Sequence, residues 1–254
     1  MTRLSVTVIT LNQEANIGPC LESVRFADEI VVVDTGSTDR TVESARASGA
    51  RVVATAWQGF AGTKNFALDQ ANGDWVFVLD TDERVPEALG EEIQAVVRND
   101  GPLNGYRVAR KNYFGGRWIR RLGWYPDYTL RLFRRDRGRF KDREVHEEVE
   151  VAGPVGTLQT PLDHYSYNDL DDYAARQERY ARLAAAEMVK QGRRPRPGEL
   201  GWRPFFTFLN LYFLKQGFLE GSLGLALARQ GSRYNFLKYH YLRELTRGRE
   251  IDAH

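Results

Sequence analysis

The chain has 254 residues, 42% of them apolar and 28% charged; these proportions exclude wholesale disorder and allow one large domain or a domain with an appendage. A single cysteine, Cys20, excludes an intrachain disulfide and a cysteine-rich zinc site, and no stretch reaches the apolar length of a membrane span. The net charge of +2 hides an asymmetry: residues 1–105 carry 8 Lys and Arg against 16 Asp and Glu, residues 106–147 carry 13 against 5, and residues 148–254 carry 15 against 13. The basic middle block suits an anionic substrate, a membrane surface or nucleic acid. The N-terminus lacks the charged-then-apolar pattern of a signal peptide, so a cytoplasmic catalytic face is expected.

In chain order, Leu4–Thr10 reads as a strand, and Asn12–Asn16 as a turn leading into a helix through Val24. This segment is amphipathic and makes Cys20 a small core residue. Glu29–Asp34 is the next strand. Ser37 is a good cap for a helix up to Ser48, and Arg51–Ala54 is a short strand. A helix over about Gly62–Ala71 is closed by Asn72-Gly73. Trp75–Leu79 is a buried strand, and helix 86–98 follows. Strand and helix alternate here, which predicts a mainly parallel sheet with helices on both faces. From Tyr106 to Leu158 the texture changes to the alternation of antiparallel or mixed strands, with a long Gly- and aromatic-rich loop over 112–128. From Asn168 the chain turns helical, capped by Ser166 or Asn168 and reaching Lys190, with Tyr173, Tyr180, Leu183 and Met188 near one face. Gln191–Gly198 reads as a linker, and Phe205–Leu214 is the most apolar stretch.

The chemistry centres on Trp75-Val-Phe-Val-Leu-Asp-Thr-Asp-Glu83, an apolar run that stops at acids. Ligands of open α/β sheets gather where the strands' carboxyl ends emerge, so Asp80 and Asp82 stand at the mouth of a cleft. Two carboxylates so placed form a hard oxygen site for Mg²⁺ or Mn²⁺ that also binds substrate phosphates; the bland alternative is a solvated acidic turn. Glu14, just beyond the first strand, and Asp34, at the end of the second, add carboxylates to the same edge. Dinucleotide-binding, P-loop and His-Glu-x-x-His signatures are missing from the sequence. The division of labour fits a nucleoside-diphosphate donor: one carboxylate for ribose or base, others for a metal on the diphosphate.

Val8–Glu14, Val31–Asp39, Lys64-Asn65 and Val78–Glu83 resemble, in order and spacing, the family 2 glycosyltransferases of GT-A fold. The resemblance implies inverting transfer of a sugar from a nucleotide-sugar, with a divalent metal. By it, Thr10, Leu11 and Glu14 line the nucleoside pocket, Asp34 binds base or ribose, and Lys64 and Asn65 face the donor. Asp80, Thr81 and Asp82 form the Asp-x-Asp motif of ribose and metal contacts. The family often has an aromatic where Leu11 stands.

An inverting displacement needs a base opposite the leaving group. Tyr125–Arg131 resembles the family's acceptor motif, with Pro126 where Glu is usual, and assigns Asp127 as the base. Arg131 would orient a phosphate or Asp127. His146 is expected to complete the metal site, with His164 as its rival; an imidazole ligand favours Mn²⁺ over Mg²⁺. The basic-aromatic loop Lys111–Trp124 suits stacking on sugars and pairing with anionic groups of an acceptor.

The expectation is a GT-A α/β catalytic domain over 1–165, with a nucleotide-sugar half to about 100 and an acceptor half over 101–165. A helical extension follows over 166–254. Arg203 and Lys215 flank the apolar run as in in-plane membrane helices. The tail resembles a subgroup that glucosylates the lipopolysaccharide inner core. The expected donor is UDP-linked, and the acceptor an anionic glycolipid or core oligosaccharide, with peripheral contact at the inner face of the membrane and no nucleic acid. The competing readings are a sugar nucleotidylyltransferase, whose triphosphate loop residues 11–18 lack, and a non-enzymatic module binding nucleic acid or a membrane surface through residues 106–147.

Overall fold

The structure is a computed structural model that describes residues 2–141 and 148–248. Its first strands are β1 (Leu4–Thr10), β2 (Glu29–Asp34), β3 (Arg51–Ala54) and β4 (Trp75–Leu79), separated by helices α1 (Glu14–Glu22), α2 (Thr41–Ala47) and α3 (Gly59–Gln70). All four strands run parallel. β1 pairs with β2 from Ser5↔Glu29 to Thr10↔Asp34, and with β4 from Leu4↔Trp75 to Val8↔Leu79. Continuous apolar runs are what a parallel sheet covered on both faces requires, and all five residues of β4 are buried. The pleat divides them: Trp75, Phe77 and Leu79 join one core cluster with Ile17, Leu21 and Leu89, whereas Val76 and Val78 join another with Leu68 and Phe133. Each such buried side chain contributes about 1.5–3 kcal/mol. Gly73, just before β4, is required by space: a Cβ there would lie 2.6 Å from the Ser5 backbone nitrogen.

The chain continues through β5 (Glu83–Arg84), α4 (Glu87–Asn99), β6 (Gly105–Phe114), β7 (Arg117–Trp118), β8 (Asp127–Arg134), β9 (Gly138–Lys141), β10 (Glu148–Val151), β11 (Val155–Thr157) and β12 (Leu162–Tyr167). The main sheet has the order β3-β2-β1-β4-β8-β6-β12-β5, and β9 and β10 form a separate ribbon. β8 lies antiparallel to both β4 and β6. The sheet is therefore parallel where the sequence alternates strand with helix, and antiparallel or mixed where the texture changes.

The chain forms two compact units: one runs to Lys111 and includes Asp127–Tyr165, and the other comprises Asn112–Pro126 and the chain from Ser166. The first holds the sheet clusters described above. The second is built on α5 (Leu170–Lys190), α6 (Glu199–Leu209) and α7 (Gly221–Thr246), with a π turn at Asn210–Leu214 and a 3-10 turn at Gly217–Glu220. Its core gathers Phe114, Ile119, Leu122, Tyr173, Leu227 and Ala228. The buried Glu220 carboxylate accepts from Arg117 at 2.8 Å and from the Arg120 backbone at 2.9 Å, tying the basic-aromatic segment to this unit.

Three local expectations change. Helix α2 starts at Thr41 rather than just after Ser37: the Asp39 carboxylate accepts from the Thr41 N–H, while Asp34 takes the Gly36 and Ser37 N–H groups into a turn. Asp169, not Ser166 or Asn168, caps α5 by accepting from Asp171 and Asp172. The buried face of α5 is Tyr173, Ala181 and Ala185, and Tyr180 and Leu183 are exposed.

Candidate active site

The carboxyl ends of β1, β2 and β4 share one rim of the first unit. Register places Thr10 beside Asp34, and Val8 beside Leu79, so Asp80 emerges next to the end of β1. Thr10 is buried, and its Oγ1 has no hydrogen-bond partner. The buried Asp34 carboxylate accepts from Gly36 and Ser37, both at 3.1 Å, which shapes the turn after β2. Leu11 is exposed. Glu14 accepts from the Arg40 N–H at 3.3 Å, linking the turns after β1 and β2.

Asp80 stands between two cations. One oxygen lies 3.1 Å from Lys64 Nζ and the other 2.5 Å from an Arg131 nitrogen. Arg131 also contacts Glu83, which is fully buried and accepts the Asp80 backbone N–H at 3.0 Å. Burial pulls the Asp80 carboxyl upward, but Arg131 and then Lys64 outweigh it and hold the group well below the usual carboxylate range. For Arg131, burial pulls downward, and Asp80 and Glu83 reverse this and keep the guanidinium charged. Arg131 Nε is buried without a hydrogen-bond partner. Cys20 lies under this turn, its thiol 3.5 Å from the Asp80 carbonyl, and burial pushes it up to about 12. It is a core residue and not a nucleophile.

Thr81 and Asp82 form the turn between β4 and β5. The Thr81 carbonyl accepts from Arg84 at 2.7 Å, and the Asp82 carbonyl accepts the Tyr165 N–H at 2.9 Å. The pairing of β12 with β5 brings His164 Nε2 to 3.4 Å from an Asp82 carboxylate oxygen. His146 lies outside the described residues. Lys64 and Asn65 diverge on α3: the Asn65 amide exchanges two hydrogen bonds, both 2.9 Å, with the Phe140 backbone.

Asp127 opens β8 opposite Arg110 of β6. One Asp127 oxygen accepts from Arg110 Nε at 3.0 Å and from a terminal nitrogen at 2.6 Å. Arg110 also lies 3.7 Å from Glu83. Arg110 thus orients Asp127, and Arg131 contacts Asp80 and Glu83. A cleft of about 290 Å³ is lined by Lys64, Asp80, Arg107, Arg110, Tyr128 and Arg131, among others. Four cations, Lys64, Arg107, Arg110 and Arg131, against the carboxylates of Asp80, Glu83 and Asp127 leave a net positive charge, which favours an anionic occupant. Glu83 and Arg110 escaped the sequence reading; the alternation of residues 106–111 signals a strand, but only its register puts Arg110 on Asp127.

A parallel sheet with Asp34 and Asp80 at its carboxyl edge, followed by antiparallel strands that carry Asp127, is an α/β arrangement that places ligands at that edge. The chain belongs to glycosyl transferase family 2, whose model matches residues 5–152. It is a glycosyltransferase, and its mixed α/β sheet with the following helices is the GT-A arrangement expected from the sequence. It is 37% identical over 246 residues to the lipopolysaccharide core biosynthesis glycosyltransferase LpsC of Rhizobium meliloti (strain 1021), covering 92% of this chain and 89% of that protein. It is 28% identical over 258 residues to a glycosyltransferase of Rickettsia typhi, RT0209, covering 97% and 88%. Among solved structures, it is similar to glucosyl-3-phosphoglycerate synthase from Mycobacterium tuberculosis in complex with Mn²⁺, UDP and phosphoglyceric acid, with a TM-score of 0.47, 20% identity, and 78% and 81% of the two chains covered.

Proposed function

We propose that the protein is an inverting, metal-dependent glycosyltransferase that moves a sugar from a UDP-linked donor to an anionic glycolipid or lipopolysaccharide-core acceptor at the inner face of the membrane. The observation that carries this reading is the shared rim: Thr10, Asp34 and Asp80 end or follow three paired strands, and Asp82 comes two residues after Asp80. The acceptor class is supported by the relative acting in lipopolysaccharide core biosynthesis and by the cationic cleft.

Among the described residues no group of three or more His, Cys, Asp and Glu is arranged to hold a metal. Asp82 and His164, with an imidazole nitrogen 3.4 Å from a carboxylate oxygen, are the residues that would hold a divalent ion here, and the imidazole would favour Mn²⁺ over Mg²⁺. Asp80 joins this set if the incoming diphosphate competes for Lys64 and Arg131 and releases one of its oxygens. When bound, the metal offsets charge building on the departing diphosphate. Lys64 and Arg131 act in the same sense, because both are buried cations beside that position. Arg131 Nε, which has no partner, is a donor for a phosphate oxygen. The unpaired Thr10 Oγ1 and the Asp34 carboxylate take the nucleoside.

Asp127 removes the proton from the acceptor hydroxyl as it attacks the anomeric carbon. Arg110 holds the carboxylate by one oxygen and fixes its orientation. Arg107 and Arg110 also meet anionic groups of the acceptor. The test is a screen of nucleotide-sugars for hydrolysis without acceptor. Hydrolysis of a UDP-sugar that stops on metal removal is the expected result. No hydrolysis of any donor, together with salt-sensitive nucleic-acid binding, would overturn the reading.

A further inference from the structure

The helical unit carries a second cationic hollow, apart from the residues assigned above. A cleft of about 620 Å³ is lined by Gly192, Arg193, Arg194, Pro195, Arg196 and Arg203. Its one carboxylate is Glu199, which is 1% exposed and braces the cleft from beneath: it contacts Arg193 at 2.9 Å and Arg203 at 3.1 Å, and accepts the Arg196 N–H at 2.9 Å. Arg194 and Arg196 are exposed. Nearby, burial first, then Arg203 and Arg193, push the Lys238 ammonium below the usual lysine range. Among the described residues, four lining arginines against the one acid that braces them, Glu199, leave an uncompensated positive charge.

This hollow runs directly into an apolar face. The Arg203 guanidinium lies over the Trp202 ring at 4.6 Å, Trp202 packs on Phe206 at 6.2 Å, and Phe206 on Phe205 at 5.6 Å. Trp202, Phe205, Phe206, Phe213 and Leu214 are between 47% and 79% exposed. Positions 202, 205 and 206 are spaced to share one face of α6, and the exposed Phe213 and Leu214 follow in the π turn, whereas Phe208 and Leu211 pack on the unit's core. An exposed aromatic stripe of this extent marks an interaction surface. No helix among the described residues is long and apolar enough to cross a membrane. A second copy is a poor occupant, because a twofold contact through this face would bring two arginine clusters together.

We propose that α6 and the π turn after it lie in the plane of a bilayer surface, with Trp202, Phe205, Phe206, Phe213 and Leu214 in the lipid and the arginine cleft holding the phosphate of an anionic phospholipid headgroup. The proposal deepens the membrane-borne acceptor reading and rests on that reading only for its purpose. The test is co-sedimentation of the full chain with vesicles of phosphatidylcholine alone or mixed with phosphatidylglycerol. Wild type should partition onto the mixed vesicles and only weakly onto the neutral ones. Arg194→Ala with Arg196→Ala should lower binding to mixed vesicles by about 30-fold, at about fivefold per arginine. Phe205→Ser with Phe206→Ser should lower it at least about tenfold. Both pairs change exposed side chains and should keep the wild-type melting temperature and acceptor-free donor hydrolysis, which reads the transfer chemistry separately. Equal binding to both vesicle types, binding unmoved by either pair, or a dimer dispersed by the phenylalanine pair without vesicle binding would overturn the proposal. Inorganic phosphate binding in the cleft without vesicle binding would overturn it too.

Discussion

Replacing Arg131 with Met tests the buried charge cluster behind the site. Arg131 is 4% exposed and contacts two carboxylates, Asp80 and the fully buried Glu83. At an effective dielectric of about 20, each contact is worth on the order of 5 kcal/mol gross. The desolvation cost of the guanidinium, several kcal/mol, offsets much of that sum. The variant leaves Glu83 with Arg110 at 3.7 Å and Asp80 with Lys64 at 3.1 Å. A buried pair broken from one side costs about 3–5 kcal/mol. Guanidinium chloride unfolding at pH 7 should show that loss as a lowered midpoint. The pH dependence has a definite sign. The folded-state pKa of Asp80 is lowered, so its contribution is complete above the unfolded value of about 3.9 and is lost as pH falls towards the folded one. The gap between wild type and variant should therefore narrow in acid below about pH 4. A variant within about 1 kcal/mol of wild type at pH 7, with an unchanged acid limb, would refute the reasoning.

Further expectations concern separate groups. Asp127→Asn should lower transfer by about 10²–10⁴-fold while UDP affinity stays within about twofold, read by steady-state kinetics and calorimetry; full transfer by the variant would remove Asp127 as base. His164→Ala should weaken Mn²⁺-dependent UDP binding by about tenfold or more and leave metal-free binding unchanged; equal loss in both conditions would make His164 a packing residue. Burial pulls the Glu29 carboxyl up, but bonds from Ser5, Asn72 and Arg51 bring it to about 2. Its stabilisation, on the order of 2–3 kcal/mol, should be present above the unfolded value of about 4.3 and lost between there and about pH 2. Glu29→Gln should thus be destabilising at pH 7 and nearly neutral at pH 2 in denaturant titrations.

The elements legible in the sequence are those whose signal is local. β1, β2 and β4 are apolar runs ended by Thr10, Asp34 and Asp80, so both the parallel sheet and its acidic edge could be read directly. Pairings that depend on register could not. Arg110 meets Asp127, and His164 meets Asp82, only because β6 lies on β8 and β12 on β5. Glu83 looked like one more acid of a solvated turn, yet it is buried under Arg131. In α5, hydrophobicity favoured Tyr180 and Leu183, but close packing against α7 selects the small Ala181 and Ala185. At α2, Ser37 is a sound cap by residue type, and the Asp34 turn takes its N–H instead.

The most direct measurement is calorimetric titration of UDP into the protein with Mn²⁺, repeated after chelation and with Asp82→Asn. If Thr10 and Asp34 at the ends of β1 and β2 take the nucleoside while Asp80 and Asp82 after β4 hold a metal-bound diphosphate, wild type binds one UDP per chain with Mn²⁺, and affinity falls at least about tenfold on chelation and in the variant. UDP binding of equal strength in all three conditions, or none in any, would contradict it.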